Sequence, residues 1–266
     1  DTAVAAGLRL ATLPVDGHGA TAGPASPAGA ALLTPAHQFP LGAALAPGRR
    51  TQFVEWARDT GGLVIEDDYD GEFRYDRQPV GALQGFAPEH VVYGGSASKT
   101  LGPGLRLGWL VLPRHLVEPV TEAKRHDDFA SAVTDQLTLA ELLISHGYDR
   151  HIRAARLRYR RRRDLLITRM LPGPGRARPP VQVRGIAAGL HVLIGLPPGG
   201  PVERDVLALA GEQGLGVGAL GEHWHESDEA GRRPQGIIVG YGTPGEGAYP
   251  GALEVLTRVM RSATRP

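Results

Sequence analysis

The chain has 266 residues, a formal net charge of +1, 42% hydrophobic and 21% charged residues; this balance builds a buried core and exerts no global pull on nucleic acid. Cysteine is absent, which excludes disulfides, thiol catalysis and cysteine-ligated metals and fits a cytoplasmic protein. No run of eighteen apolar residues is present, and Asp1 to Leu13 has neither the basic head nor the apolar stretch of a secretory leader, so neither a membrane span nor a leader is expected.

Leu8–Val15 predicts a strand, and the Gly/Pro/Ala-rich stretch to Ala30 predicts loop and weak helix. Ala31–Thr34 predicts a short strand closed by Pro35. Phe53, Val54 and Ala57 give Arg49–Thr60 helical spacing, stopped by Gly61-Gly62. Leu63–Ile65 predicts a buried strand ending in Glu66-Asp67-Asp68-Tyr69, and His90–Tyr93 another, ending in Gly95-Ser96-Ala97-Ser98-Lys99. A strand over Leu107–Leu112 and helices over His115–Arg125, Asp135–His146 and Asp149–Leu171 follow. The turn-rich Gly173–Pro180 marks the expected boundary between a large domain (1–172) and a small C-terminal one (173–266). In the latter, Gly189–Leu196, Leu215–Val217 and Ile237–Tyr241 read as strands, with helices near Val202–Glu212 and Gly251–Arg261. Strand–helix alternation of this kind predicts an α/β layer fold.

Ligands in open α/β sheets sit at the carboxyl ends of strands, and two such ends carry the polar residues here. One presents Asp67 and Tyr69; the other presents Ser96, Ser98 and Lys99, with Arg106 seven residues beyond the lysine. Of 29 basic residues only Lys99 and Lys124 are lysines, and arginine stays protonated at neutral pH, so amine chemistry has two candidates. The set suits pyridoxal phosphate: an amine for the aldehyde, a carboxylate for the pyridine nitrogen, a phenol for the ring oxygen, and hydroxyls with an arginine for the phosphate. Each residue also has an ordinary reading. Asp67 and Asp68 suit a turn, Ser96 and Ser98 a helix cap, and Lys99 a solvated surface, as does Lys124 among Glu122, Arg125 and Asp127. Their order on neighbouring strand ends favours the cofactor.

Three segments carry a resemblance: TPAHQFPLG from Thr34 to Gly42, IEDDYDGEFRY from Ile65 to Tyr75, and SASKTLGPGLRLG from Ser96 to Gly108. Together they resemble the MocR-type branch of GntR-superfamily regulators, which join a winged-helix DNA-binding domain to a fold-type-I aminotransferase domain. The resemblance implies a mixed, mostly parallel sheet with helices on both faces, a smaller C-terminal α/β domain and a homodimer with sites near its interface. It matches Lys99 to the Schiff-base lysine, Asp67 to the pyridine-nitrogen acid, Tyr69 to the ring-hydroxyl partner, and Ser96, Ser98 and Arg106 to the phosphate group. The adjacent Asp68 leaves a swap with Asp67 open. The family's winged helix, its upstream phosphate turn and its ring-stacking aromatic would all precede Asp1, so an N-terminally truncated fragment is expected. Phe39 stands where aminotransferases have an asparagine. The segment expected to supply a substrate-carboxylate arginine, Ile237–Val239, is apolar, with Arg232 and Arg233 nearby.

Two functions follow from the same residues. One is a sensor in which an amine or amino acid exchanges onto the cofactor at Lys99 and alters DNA binding by a domain outside this chain. The other is a free-standing aminotransferase; the wording of the motifs favours the sensor. The arginine-dense Asp149–Leu171 suits a nucleic-acid-binding helix, but Ile152, Ala155, Tyr159, Leu166 and Met170 at inward spacing favour a packed linking helix. His37 and His223-Trp224-His225 lack a third ligand at metal spacing and read as loop residues.

Overall fold

The computed structural model describes residues 2–21, 28–76, 81–171, 181–225 and 233–263. The expected boundary at Gly173–Pro180 and the candidate Arg232 therefore lie outside the described residues. One turn of helix, α1 (Thr2–Ala5), precedes a small hairpin of β1 (Val15–Asp16) and β2 (Gly19–Ala20). The strand expected over Leu8–Val15 is reduced to this hairpin. Of the segment before it, Leu13 packs against the cluster that holds Phe53, Val54 and Ala57, while Leu8 and Leu10 stay exposed.

The first main sheet is built from β3 (Ala30–Leu33), β4 (Leu63–Asp68), β5 (Val91–Ser96) and β6 (Gly108–Val111) in that spatial order. β3, β4 and β5 run parallel, and β6 returns antiparallel to β5. Between β3 and β4 runs α2 (Pro47–Thr60), opened by its proline and ended by Gly61 in the left-handed region. It lays Phe53, Val54 and Ala57 on Leu33, Val64 and Val91, which form one buried cluster. Three helices follow: α3 (Arg114–Asp128), α4 (Val133–Ile144) and α5 (Gly147–Met170).

The second sheet is antiparallel throughout, in the order β7 (Gln182–Arg184), β8 (His191–Gly195), β10 (Gly236–Gly240), β9 (Gly218–Ala219), and is flanked by α6 (Glu203–Glu212) and α7 (Tyr249–Ala263). The strand expected at Leu215–Val217 begins instead at Gly218. The Leu215 N–H turns back to the Ala210 carbonyl (2.9 Å) and closes the end of α6. The core beneath this sheet draws residues from both expected domains: Phe73, Tyr75, Ala155, Leu166 and Met170 pack with Val192, Ile194, Ile237, Leu256 and Val259.

Helix α5 has the inward face expected of it, with Ile152, Ala155, Leu166 and Met170 buried. Several of its arginines serve packing. Arg156 donates to the Glu72 carbonyl (2.8 Å) and Arg163 to that of Ile186 (3.1 Å). Arg162 is itself buried and donates to the carbonyls of Tyr241 (3.1 Å) and Gly242 (3.2 Å).

Candidate functional site

Because β4 and β5 are parallel, their carboxyl ends open on the same edge of the sheet, with Asp67 beside Gly94 and Asp68 beside Gly95. Asp67, Ser96 and the turn carrying Ser98 and Lys99 therefore share one region. Gly95 is required there by packing, since a Cβ at that position would fall 2.4 Å from the Trp109 indole.

The two neighbouring carboxylates are used differently. Asp68 accepts a hydrogen bond from the Tyr93 hydroxyl at 2.8 Å. Asp67 is exposed at the edge. Crowding by the protein behind it desolvates its carboxyl, and with the charges of Asp68 and Asp70 this raises its pKa above the ordinary aspartate value. Below both, the buried Glu66 accepts the N–H groups of Leu83 (3.0 Å) and Gln84 (3.1 Å) and anchors the loop under the site.

Lys99 is exposed and makes no ion pair among the described residues. Lys124 lies on α3, paired with Asp128 one helical turn on. The Lys99 turn is held from below. Ser96 Oγ accepts the Ser98 N–H (3.0 Å), and the buried Thr100 donates to the Ala97 carbonyl (3.2 Å). From α5, His151 Nε2 donates to the Thr100 carbonyl (2.7 Å), and the Tyr148 hydroxyl lies 3.2 Å from both Thr100 Oγ1 and Glu72 Oε1. Arg106 ends the following turn in the left-handed region, φ 51°, with its side chain exposed.

Tyr69 is turned to the other side of the site, where its hydroxyl donates to the His37 carbonyl at 2.9 Å. Burial, followed by the charges of Asp70, Asp67 and Asp68, holds its phenol well above the usual tyrosine range. His37 leads into a network the sequence did not reveal. Its Nδ1 is hydrogen-bonded to Asp70 at 2.8 Å, and its ring lies 4.9 Å from that of His191; all three residues are buried. Their donor atoms lie within 4.8 Å of one another. His191 Nε2 also faces the Pro40 carbonyl at 3.3 Å. Burial, with the nearby charges of His37 and Lys99, lowers the His191 pKa to about 4. Gly189 permits this packing: its φ is +72°, and a Cβ there would fall 2.1 Å from the His37 ring.

Phe39 stands beside these groups, its ring 4.9 Å from His191, 5.0 Å from His223 and 6.5 Å from Tyr69. Ile237, Ile238 and Val239 are buried in β10. Ile238 packs with Leu193 and Leu220 against Leu41 and Trp224. Arg233 donates to the His225 carbonyl at 2.8 Å.

The description "Aminotransferase class I and II" belongs to the family model that matches residues 21–176. Among curated proteins, the chain is similar to the uncharacterized HTH-type transcriptional regulator YhdI of Bacillus subtilis (strain 168), 37% identical over 164 residues, 61% of this chain and 34% of that protein. It is also similar to the HTH-type pyridoxine biosynthesis transcriptional regulator PdxR of Corynebacterium glutamicum, 31% identical over 82% of this chain and 45% of that protein. The chain thus spans less than half the length of each of these relatives. Among solved structures, Pyrococcus horikoshii kynurenine aminotransferase superposes with a TM-score of 0.75 at 22% identity, over 89% of this chain and 57% of that one, a likeness of fold. With the family model matching more than half its length, the chain belongs to the aminotransferase class I and II family.

Proposed function

We propose that the chain is the ligand-sensing part of a helix-turn-helix transcriptional regulator, that pyridoxal 5'-phosphate attaches at Lys99, and that the signal is a small amine or amino acid. The observation that carries this reading is the shared edge of the parallel β4 and β5, where Asp67 and the Lys99 turn lie together while the other lysine sits paired on α3. The naming of both curated relatives as regulators supports it further.

The donor set fits the cofactor in kind. Asp67 is a carboxylate free of the Tyr93 bond that occupies Asp68, and its raised pKa suits sharing a proton with a pyridine nitrogen. Ser96, Ser98 and the exposed Arg106 would hold the phosphate, the last through its planar fork. Tyr69 would serve the ring oxygen once its hydroxyl hydrogen leaves the His37 carbonyl. When bound, the cofactor supplies an aldehyde for amine condensation and a ring that withdraws electrons from the neighbouring carbon. Thr100, held by His151 and Tyr148, fixes the turn from which the Lys99 amine reaches the site. DNA contact would belong to a winged helix outside this chain. The regulator would act in the cytoplasm as a homodimer; within the described residues no helix is long and apolar enough to cross a membrane.

Turnover as an aminotransferase is the second reading, favoured by the family itself. Stopped-flow absorbance with keto-product assays across common amino acids separates the two. A sensor shifts the cofactor band within seconds while keto product accumulates far more slowly. Sustained turnover at about 1 per second or faster, the ordinary enzyme range, would make the protein an aminotransferase.

A further inference from the structure

A groove of about 410 Å³ lies between α5 and the start of α7, away from the Lys99 turn. Three arginines line it: Arg158, Arg161 and Arg162, spaced i, i+3, i+4 and so on one face of α5. Their neighbours Arg160 and Arg163 each lie beside Asp164. By contrast, Arg158, Arg161 and Arg162 make no ion pair among the described residues. The acid on the lining, Glu246, makes none either, which leaves a net charge of about +2 in a concave space, where low-dielectric walls focus the field.

The three guanidinium groups differ in how firmly they are held. Arg162 is 7% exposed, bonded to two backbone carbonyls, and lies 4.9 Å from the centre of the Tyr249 ring. Tyr249 in turn donates to the Arg162 carbonyl at 2.7 Å, so this charge is fixed in place. Arg158 lies 4.9 Å from the centre of the Tyr159 ring, and its buried Nε has no hydrogen-bond partner. Its Nη2 makes only a long contact, 3.4 Å, to the Tyr159 hydroxyl, so the outer nitrogens of its fork remain available to an oxyanion. Arg161 is exposed and open to a ligand. Leu157 and Pro250 add apolar wall.

We propose that this groove binds a small phosphate ester, its phosphate between Arg158 and Arg161 and its body against Leu157 and Pro250. A phosphate dianion matches the uncompensated charge, and guanidinium forks bind it with paired hydrogen bonds. The volume exceeds that of a bare phosphate ion and falls in the range of small-molecule sites, which begins at about 300 Å³. The same helix reaches Thr100, next to Lys99, through His151 and Tyr148, so a ligand gripping its middle bears on the candidate cofactor turn.

Titration calorimetry on the full-length protein with phenyl phosphate, inorganic phosphate and a short DNA duplex tests this. Phenyl phosphate is expected to bind, and more tightly than inorganic phosphate. Arg161→Ala, an exposed position, should weaken it by about tenfold, the loss of one charge-assisted contact; Arg161→Glu should weaken it further. Arg106→Ala should leave it unchanged, which separates this groove from the candidate cofactor site. The proposal is overturned if phenyl phosphate does not bind at millimolar concentration, or binds Arg161→Ala as well as the parent. It is equally overturned if only duplex DNA binds in an Arg161-dependent and steeply salt-dependent manner, which would make the face a nucleic-acid surface.

Discussion

Around β8 and β10 both faces of the sheet are covered: Ile194 and Ile237 on one face and Leu193 on the other are at most 1% exposed, and Tyr241 is fully buried. Around β6 the reverse holds. All four of its residues are exposed, and neither α3 nor α4 buries a side chain. Leu137, Leu143 and Ile144 of α4 and Phe129 before it stand in solvent, as do Trp109 and Leu110 of β6. The two regions carry similar secondary structure, so what separates them is packing, which within this chain lies in the second sheet with the α5 and Phe73–Tyr75 residues that complete it, and in the cluster under α2.

The largest expected effect separates those regions. Ile194→Ala should cost about 2–5 kcal/mol in urea unfolding, the range for emptying a well-packed site. Ile144→Ala should stay within about 0.5 kcal/mol, as exposed substitutions do. Equal losses would break the comparison, because they would mean that α4 is covered in solution.

The next effect belongs to the junction. The native His191 pKa of about 4 lies below the ordinary value of 6.5, so between these two pH values the unfolded chain holds the extra proton. Stability from this group is therefore full above about pH 6.5 and is lost as pH falls through that window, reaching on the order of 3 kcal/mol near pH 4. His191→Gln should flatten this part of the pH–stability curve. An unchanged slope would place the acid sensitivity elsewhere.

Much of the fold and part of the site were legible in the residues. β4 and β5 could be read because an apolar run gives way abruptly to Glu66-Asp67-Asp68 and to Gly-Ser-Ala-Ser-Lys, a local signal. Helices α2 and α5 announced themselves by spacing, α5 despite its arginines. What escaped depends on partners distant in the chain. Leu8–Val15 reads as a strand, but among the described residues only its last residue, Val15, finds a strand partner, Ala20. Arg162 looks like one more solvated charge until the carbonyls of Tyr241 and Gly242 come to it. His37, Asp70 and His191 come from three segments that only the fold assembles. The edge strand β7 gives little signal, because its three residues follow the turn-rich break directly.

Borohydride reduction of the full-length protein loaded with pyridoxal phosphate, followed by peptide mapping, tests most directly whether Lys99 is the attachment point. With two lysines in the 266 residues, the result within this chain is nearly binary. The label is predicted on the peptide containing Ser98-Lys99-Thr100, and Lys99→Ala should abolish it while leaving Lys124 unmodified. A label on Lys124, or retention of the label in Lys99→Ala, would contradict the reading of this edge of the sheet as the cofactor site.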